Sequence, residues 1–298
     1  MPAITTATPA MLILTGLLAA QHHLPADAPA AQKIEVPAGG TSVAMGDLGG
    51  RPIVDVSING KGPYRFILDT GASMTVLGED LKDELALPAG ASNAHTPDGA
   101  SAALVRIDSL RVGDAALTGV FSGVAPLSRM FRSEAPRGVL SASSFPGYMV
   151  IFDYPRKSVK IQKGELPPAD SRAIFQYTAE QILPNVPIRI GNIEVRAHPD
   201  TGSPGGLTLG SKYMRELPLA SEPVEVGRAR TPGGEFPVHS AKVESKIELG
   251  QYKLDVTEIR FSDINPIPGE PTGNIGYQIL RGFTITLDSK NRRIRFDR

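Results

Sequence analysis

The chain has 298 residues, 41% of them apolar, with 31 Lys plus Arg balanced by 31 Asp plus Glu. That length accommodates two compact domains of ~100–150 residues each. The neutral balance argues against a nucleic-acid partner, which would favour a basic face, and the absence of cysteine excludes disulfides, thiol catalysis and Cys-based zinc sites.

The first feature in chain order is the apolar run Met11 to Ala20. It has the length of a signal-peptide core, ~7–15 residues, and falls short of the ~20 residues that span a bilayer as a helix. Ala19-Ala20 and Ala26-Asp27-Ala28 offer cleavage sites, although no Lys or Arg precedes the run. The expectation is an exported protein, periplasmic or secreted, with no integral membrane span; a plain tail is the alternative. Residues 1–32 are set apart from the fold on this basis.

The rest of the chain is one unit written twice, at a period of about 131–137 residues. Ile53 to Ile58 alternates as a half-buried strand, Asn59-Gly60 turns, and Tyr64 to Leu68 returns to deliver Asp69. Val186 to Ile190, Gly191-Asn192 and Ile193 to Ala197 do the same before Asp200. After each Asp, a four-residue spacing predicts a helix with one buried face: Leu77, Leu81 and Leu85, then Leu209, Tyr213 and Leu217. Pro88 and Pro218 close these helices.

Turn signals come next, Thr96-Pro97-Asp98-Gly99 and Thr231-Pro232-Gly233-Gly234, each followed by an alternating strand, Val105 to Val112 and Ala241 to Leu249. Last, Gly138-Val139-Leu140-Ser141 aligns with Gly273-Asn274-Ile275-Gly276 at an offset of 135, and the same offset carries Phe152-Asp153 onto Leu287-Asp288. Gly164 to Asp170 reads as a linker. The division is therefore a first lobe over 33–163, a linker over 164–173 and a second lobe over 174–298. With 31 Gly and 26 Pro punctuating short alternating runs, the class is all-β.

The two Asp-Thr-Gly triplets, Asp69-Thr70-Gly71 and Asp200-Thr201-Gly202, in these matching flanks resemble those of the pepsin/retropepsin clan of aspartic peptidases. The likeness is strongest to the bacterial two-lobed, retropepsin-like members, and it covers roughly residues 33–298. It implies a bilobal pepsin-like fold, two retropepsin-like β lobes with an active-site cleft between them, and one catalytic aspartate from each lobe. It also implies that Thr70 and Thr201 bond across to the opposite lobe, and that the two glycine-containing segments thread behind the catalytic loops. The hairpins at Thr96, Pro97, Asp98, Gly99 and at Thr231, Pro232, Gly233, Gly234 become flaps that hold an extended polypeptide substrate.

The chemistry explains the pair. Amide hydrolysis without a metal or a covalent nucleophile needs a base for water and an acid for the carbonyl oxygen. Two carboxyls ~3 Å apart cannot both ionise, so one stays acid while the other acts as base. They titrate as a unit, and neither aspartate has an assigned role. Gly71 and Gly202 let the chain turn tightly beneath the carboxylates, where their N–H groups can bond. No cofactor or metal is called for: the five histidines, 22, 23, 95, 198 and 239, show no His-Glu-x-x-His spacing, and Ser143 and Ser144 lie outside any nucleophile elbow. With both aspartates in one chain, a monomer suffices.

The expectation is thus an aspartic endopeptidase using a water between Asp69 and Asp200. The rival is a catalytically silent protein of the same fold that binds peptides or a partner protein. His198-Pro199 favours the rival, because two apolar residues are expected there and an imidazolium would depress the pKa values of the dyad.

Overall fold

The computed structural model of the protein describes residues 31–95, 101–131, 135–177, 183–231, 234–263 and 273–298. The chain is all-β and bilobal: each half builds a nine-stranded sheet, and a six-stranded sheet joins the halves.

Each half opens with the expected hairpin. Pro52–Ile58 runs antiparallel to Lys61–Asp69, with Ile58 opposite Lys61. Asn59 and Gly60 between them take left-handed φ values of 50° and 77°. Two consecutive left-handed residues match the right-handed twist of the flanking strands, which is why Asn-Gly suits this turn. Val186–Ile190 and Ile193–Pro199 repeat the arrangement, with Ile190 opposite Ile193.

The aspartate-bearing strand then gains a parallel neighbour from far along the chain. Gly138–Ser141 lies parallel to Lys61–Asp69, placing Ser141 beside Asp69. Gly273–Ile275 lies parallel to Ile193–Pro199, placing Asn274 beside His198. Glycine opens both segments because nothing larger fits. A methyl on Gly138 would overlap the Phe66 ring and sit 2.7 Å from Val76 O; one on Gly273 would sit 2.6 Å from Arg196 O.

The six-stranded sheet exposes the duplication. Its order is Ile174–Gln176, Arg293–Asp297, Thr284–Asp288, Met149–Asp153, Ser158–Gln162, Thr41–Ala44. At the centre Ile151 faces Thr286, its own counterpart at the 135-residue offset. An approximate two-fold axis passes through that pair, and it relates the two aspartates. Fully buried Phe66, Phe145, Phe152, Phe261, Phe283 and Phe296 belong to one apolar cluster fed by both halves.

Four details depart from the sequence reading. The leucines spaced by four do not share one helix: Leu77 lies in the strand Thr75–Gly78, and the helix is only Glu79–Glu84. In the second copy Leu209 ends the strand Leu207–Leu209, and the helix is Tyr213–Glu216, with no buried residue. Helices this short do not form on propensity; the sheet on both edges of Thr75–Gly78 takes the backbone first. The strand expected over Ala241 to Leu249 is broken into Gly234–Lys242 and Ile247–Leu249, whereas Ser101–Val112 is continuous. Ser101–Val112 has one long partner, Ala115–Ala125, but its counterparts divide between Glu258–Phe261 and Tyr252–Leu254. The linker is anchored: buried Leu166 donates its N–H to Asp288 Oδ2 at 2.9 Å and accepts from Arg293 Nη1 at 2.5 Å. Finally, the folded region reaches back before residue 33, since Gln32 N–H donates to Thr118 O at 2.9 Å and Ala31 is buried. No helix among the described residues is long and apolar enough to cross a membrane.

Candidate active site

Asp69 is the last residue of its strand, and Asp200 follows Pro199 at the end of the matching one. The two loops meet through their threonines. Thr70 N–H donates to Thr201 Oγ1 at 3.0 Å, and Thr201 N–H donates to Thr70 Oγ1 at 3.1 Å. The same hydroxyls donate onward into the opposite half, Thr70 to Pro199 O at 2.5 Å and Thr201 to Leu68 O at 2.9 Å. Each hydroxyl thus accepts one bond and donates one, in full burial. The carbonyls that receive them are those of the residues before the aspartates.

The glycines work as the tight turn requires. Gly71 N–H donates to Asp69 Oδ1 at 2.7 Å and Gly202 N–H to Asp200 Oδ1 at 2.9 Å. A methyl on Gly71 would lie 2.8 Å from Asp200 Oδ1. One on Gly202 would lie 2.6 Å from Asp69 Cγ. Each loop therefore passes directly against the carboxyl of the other half, and the two carboxyls lie close enough to perturb each other. Burial pushes Asp69 well above the usual carboxylate range, and the charge on Asp200 pushes it further; the Gly71 N–H opposes.

The two aspartates are not equivalent. Asp200 Oδ2 accepts a hydrogen bond from Asn274 Nδ2 at 2.6 Å. Asp69 Oδ2 is buried with no donor aligned on it among the described residues. The residue at Asn274's place in the first half is Val139, part of a small apolar cluster with Ile67, Met74, Val76 and Phe131. The same layer of the second half carries the polar pair His198 and Asn274, adjacent in register.

Two more groups set the field. Arg51, 8% exposed, donates Nε–H to Gly202 O at 2.9 Å and lies 5.3 Å from the centre of the Phe131 ring. Its guanidinium feels Asp200 first and Asp69 second, which partly offsets the desolvation that lowers its pKa. His198 shares a 2.6 Å hydrogen bond between Nδ1 and Pro184 O. A carbonyl can only accept, so Nδ1 carries the proton. Burial pushes the imidazole below its ordinary value against the pull of Asp200. The imidazolium anticipated from His198-Pro199 is therefore not formed near neutral pH. Pro199 is also accommodated: its carbonyl takes the Thr70 hydroxyl.

Ser141 replaces the expected glycine by bonding, its hydroxyl donating to Ala72 O at 2.6 Å. At Gly276 a side chain would sit 2.5 Å from Gly205 O, so there the glycine is required. Of the hairpin residues, Thr96, Pro97, Asp98 and Gly99 lie outside the described residues, between Ala89–His95 and Ser101–Val112, which pair from His95 opposite Ser101. Thr231 and Gly234 pair at the end of Val224–Thr231 and Gly234–Lys242; Pro232 and Gly233 lie outside the described residues. Sequence reasoning missed Arg51 and the amide of Asn274. The 135-residue offset carried a signal for the second, a polar residue where the first copy has valine; nothing marked the first.

A duplicated β scaffold that crosses two Asp-Thr-Gly loops through their threonines defines the aspartyl-protease class of structure. A family model described as aspartyl protease matches residues 54–143. That match takes in the first triplet and the first threading segment, and it supports a likeness to the aspartyl proteases of the pepsin/retropepsin clan. A comparison with curated proteins gave no match.

Proposed function

We propose that the protein is an aspartic endopeptidase in which Asp69 and Asp200 activate a water between them. The observation that supports this most directly is the cross-half threonine lattice, which holds the two carboxyls close to each other, Asp69 raised well above the usual range. In that state one proton is shared. The ionised carboxyl takes a proton from water as oxygen attacks the peptide carbon, and the protonated carboxyl gives its proton to the carbonyl oxygen. The tetrahedral intermediate then breaks at the C–N bond, its amine leaving with a proton from the dyad. Arg51, buried beside the loops, tempers the accumulation of negative charge. Thr70, Gly71, Thr201 and Gly202 fix the geometry and take no part in proton transfer.

Substrate is a polypeptide, bound extended between the lobes 33–163 and 174–298 under the hairpins centred on 96–99 and 231–234. The apolar run Met11 to Ala20 supports an exported protein, and two aspartates in one chain support a monomer.

Incubation with an unfolded protein between about pH 3 and 7 tests the reading, with peptide products followed by mass spectrometry. The wild type should cleave, and Asp69→Asn and Asp200→Asn should each fall to background. Cleavage that survives either substitution sinks the proposal. The silent peptide-binding alternative requires a wild type that binds peptide without cutting it. Burial disfavours the charged form of His198, which weakens the feature that favoured that alternative.

A further inference from the structure

The two Asp-Thr-Gly loops repeat the same backbone bonds, Gly71 N–H to Asp69 and Gly202 N–H to Asp200, and the side chains around them differ. Asp200 has an N–H on each oxygen, Gly202 N–H on Oδ1 and Asn274 Nδ2–H on Oδ2. Asp69 has one aligned donor, Gly71 N–H on Oδ1; the Gly202 N–H also acts on it, more weakly, and no donor among the described residues meets hydrogen-bond geometry at its buried Oδ2. A carboxylate gains from N–H donors on both oxygens. A carboxylic acid carries its own donor and suits the site where one oxygen lacks a partner.

We propose that Asn274 is a positioning residue that decides which aspartate holds the shared proton: Asp200 is the carboxylate and Asp69 the acid. The assignment rests on the protease reading for its consequence, which is that Asp200 takes the proton of the attacking water and Asp69 protonates the carbonyl oxygen. One proton leaves water for Asp200 as one leaves Asp69 for the substrate, so the dyad exchanges its charge and its proton in a single balanced step.

The other charged and titratable groups around Asp200 do not reverse this. Arg51 is pulled more strongly by Asp200 than by Asp69, and so favours charge on the same residue. His198 has its Nδ1–H committed to Pro184 O, and burial disfavours its charged form. Tyr154 feels both carboxylates and is pushed further above its ordinary value, so it stays un-ionised. Val139, in the place of Asn274, can donate nothing to Asp69.

The first measurement needs no turnover. In Asp69→Asn and Asp200→Asn proteins with 13C-labelled aspartate carboxyls, the remaining dyad carboxyl is titrated by NMR. The one left in Asp69→Asn should titrate at least one pH unit below the one left in Asp200→Asn. Adding Asn274→Val to Asp69→Asn should remove most of that gap. Equal midpoints, the reverse order, or no response to Asn274→Val overturns the proposal; should the double variant not fold, the first comparison still decides. The second measurement is the pH profile of kcat/KM. A donor on the ionised carboxyl favours the singly charged dyad over the neutral one, and both the singly and doubly charged forms keep it. Asn274→Val should therefore move the acid limb up by about one pH unit and leave the alkaline limb in place. An equal fall in rate at every pH would mark a structural role and defeat the assignment. Should the wild type cleave nothing, the protease reading fails while the carboxyl titration still places the proton.

Discussion

Thr70→Val tests how far the threonine lattice holds the halves together. Valine keeps the shape of threonine and removes the hydroxyl. Thr70 Oγ1 accepts from Thr201 N–H and donates to Pro199 O, so the substitution orphans one donor and one acceptor, both buried. Each buried unsatisfied group costs about 1–3 kcal/mol, so the loss is about 2–6 kcal/mol. Against a total stability of ~5–15 kcal/mol that is a large fraction. The chain has seven tyrosines and no tryptophan, so urea unfolding is followed by tyrosine fluorescence and far-UV circular dichroism. With a slope of ~3 kcal/mol per molar urea, the midpoint should fall by about 0.7–2 M. Thr201→Val should match it, because it orphans Thr70 N–H and Leu68 O in the mirror position. Thr75→Val is the control: the Thr75 hydroxyl shares one bond of 3.1 Å with Ser144 inside a single half, and its loss should cost less. A Thr70→Val midpoint within ~0.3 M of wild type would refute the reasoning.

Gly202→Ala should abolish cleavage, because its methyl would lie 2.6 Å from Asp69 Cγ, whereas Gly205→Ala, whose methyl would meet only Ser203 Oγ at 3.7 Å, should retain it. A displacement of ~1 Å at reacting groups costs on the order of a hundredfold in rate, and kcat/KM of the two variants decides the point. Stability should depend on pH through Asp69. Its folded pKa is raised, so the folded state keeps a proton the unfolded state has lost, and stability falls as pH rises from 3.8 toward the folded value. Asp69→Asn should remove up to ~1.4 kcal/mol per pH unit of that decline, and denaturation midpoints for both proteins at several pH values measure it. His198 acts with the opposite sign. Its folded pKa is lowered, so stability is lost as pH falls below 6.5, where the unfolded chain takes up a proton first. His198→Gln should flatten that acid-side loss, and an unchanged slope in the same titration would show that the imidazole charges within the fold.

Much of the site was legible in the chain because duplication writes the same physical demand twice. Strand alternation, Asn-Gly and Gly turns, and glycine where two strands nearly collide all depend on residues close in sequence or on a constant offset. The helix boundaries were less legible. Leu77, Leu81 and Leu85 carry a helical period, yet the sheet captures Leu77. The break after Lys242 depends on which partner strands are long enough to pair, a property of segments remote in sequence. Arg51 carried no signal, since its partner is a loop carbonyl 151 residues away.

Sequence alone indicated the all-β class and the internal repeat and singled out the two aspartates, because periodicity and repetition are local and survive without coordinates. The tertiary structure brings the two carboxyls together, buries His198 so that its charged form is disfavoured, and, among the described residues, sets the Asn274 amide on Asp200 and no side-chain amide on Asp69. Those are matters of burial and of which lone pair meets which donor. They arise when chain segments more than a hundred residues apart, or side chains on neighbouring strands, are brought within about 3 Å of one another.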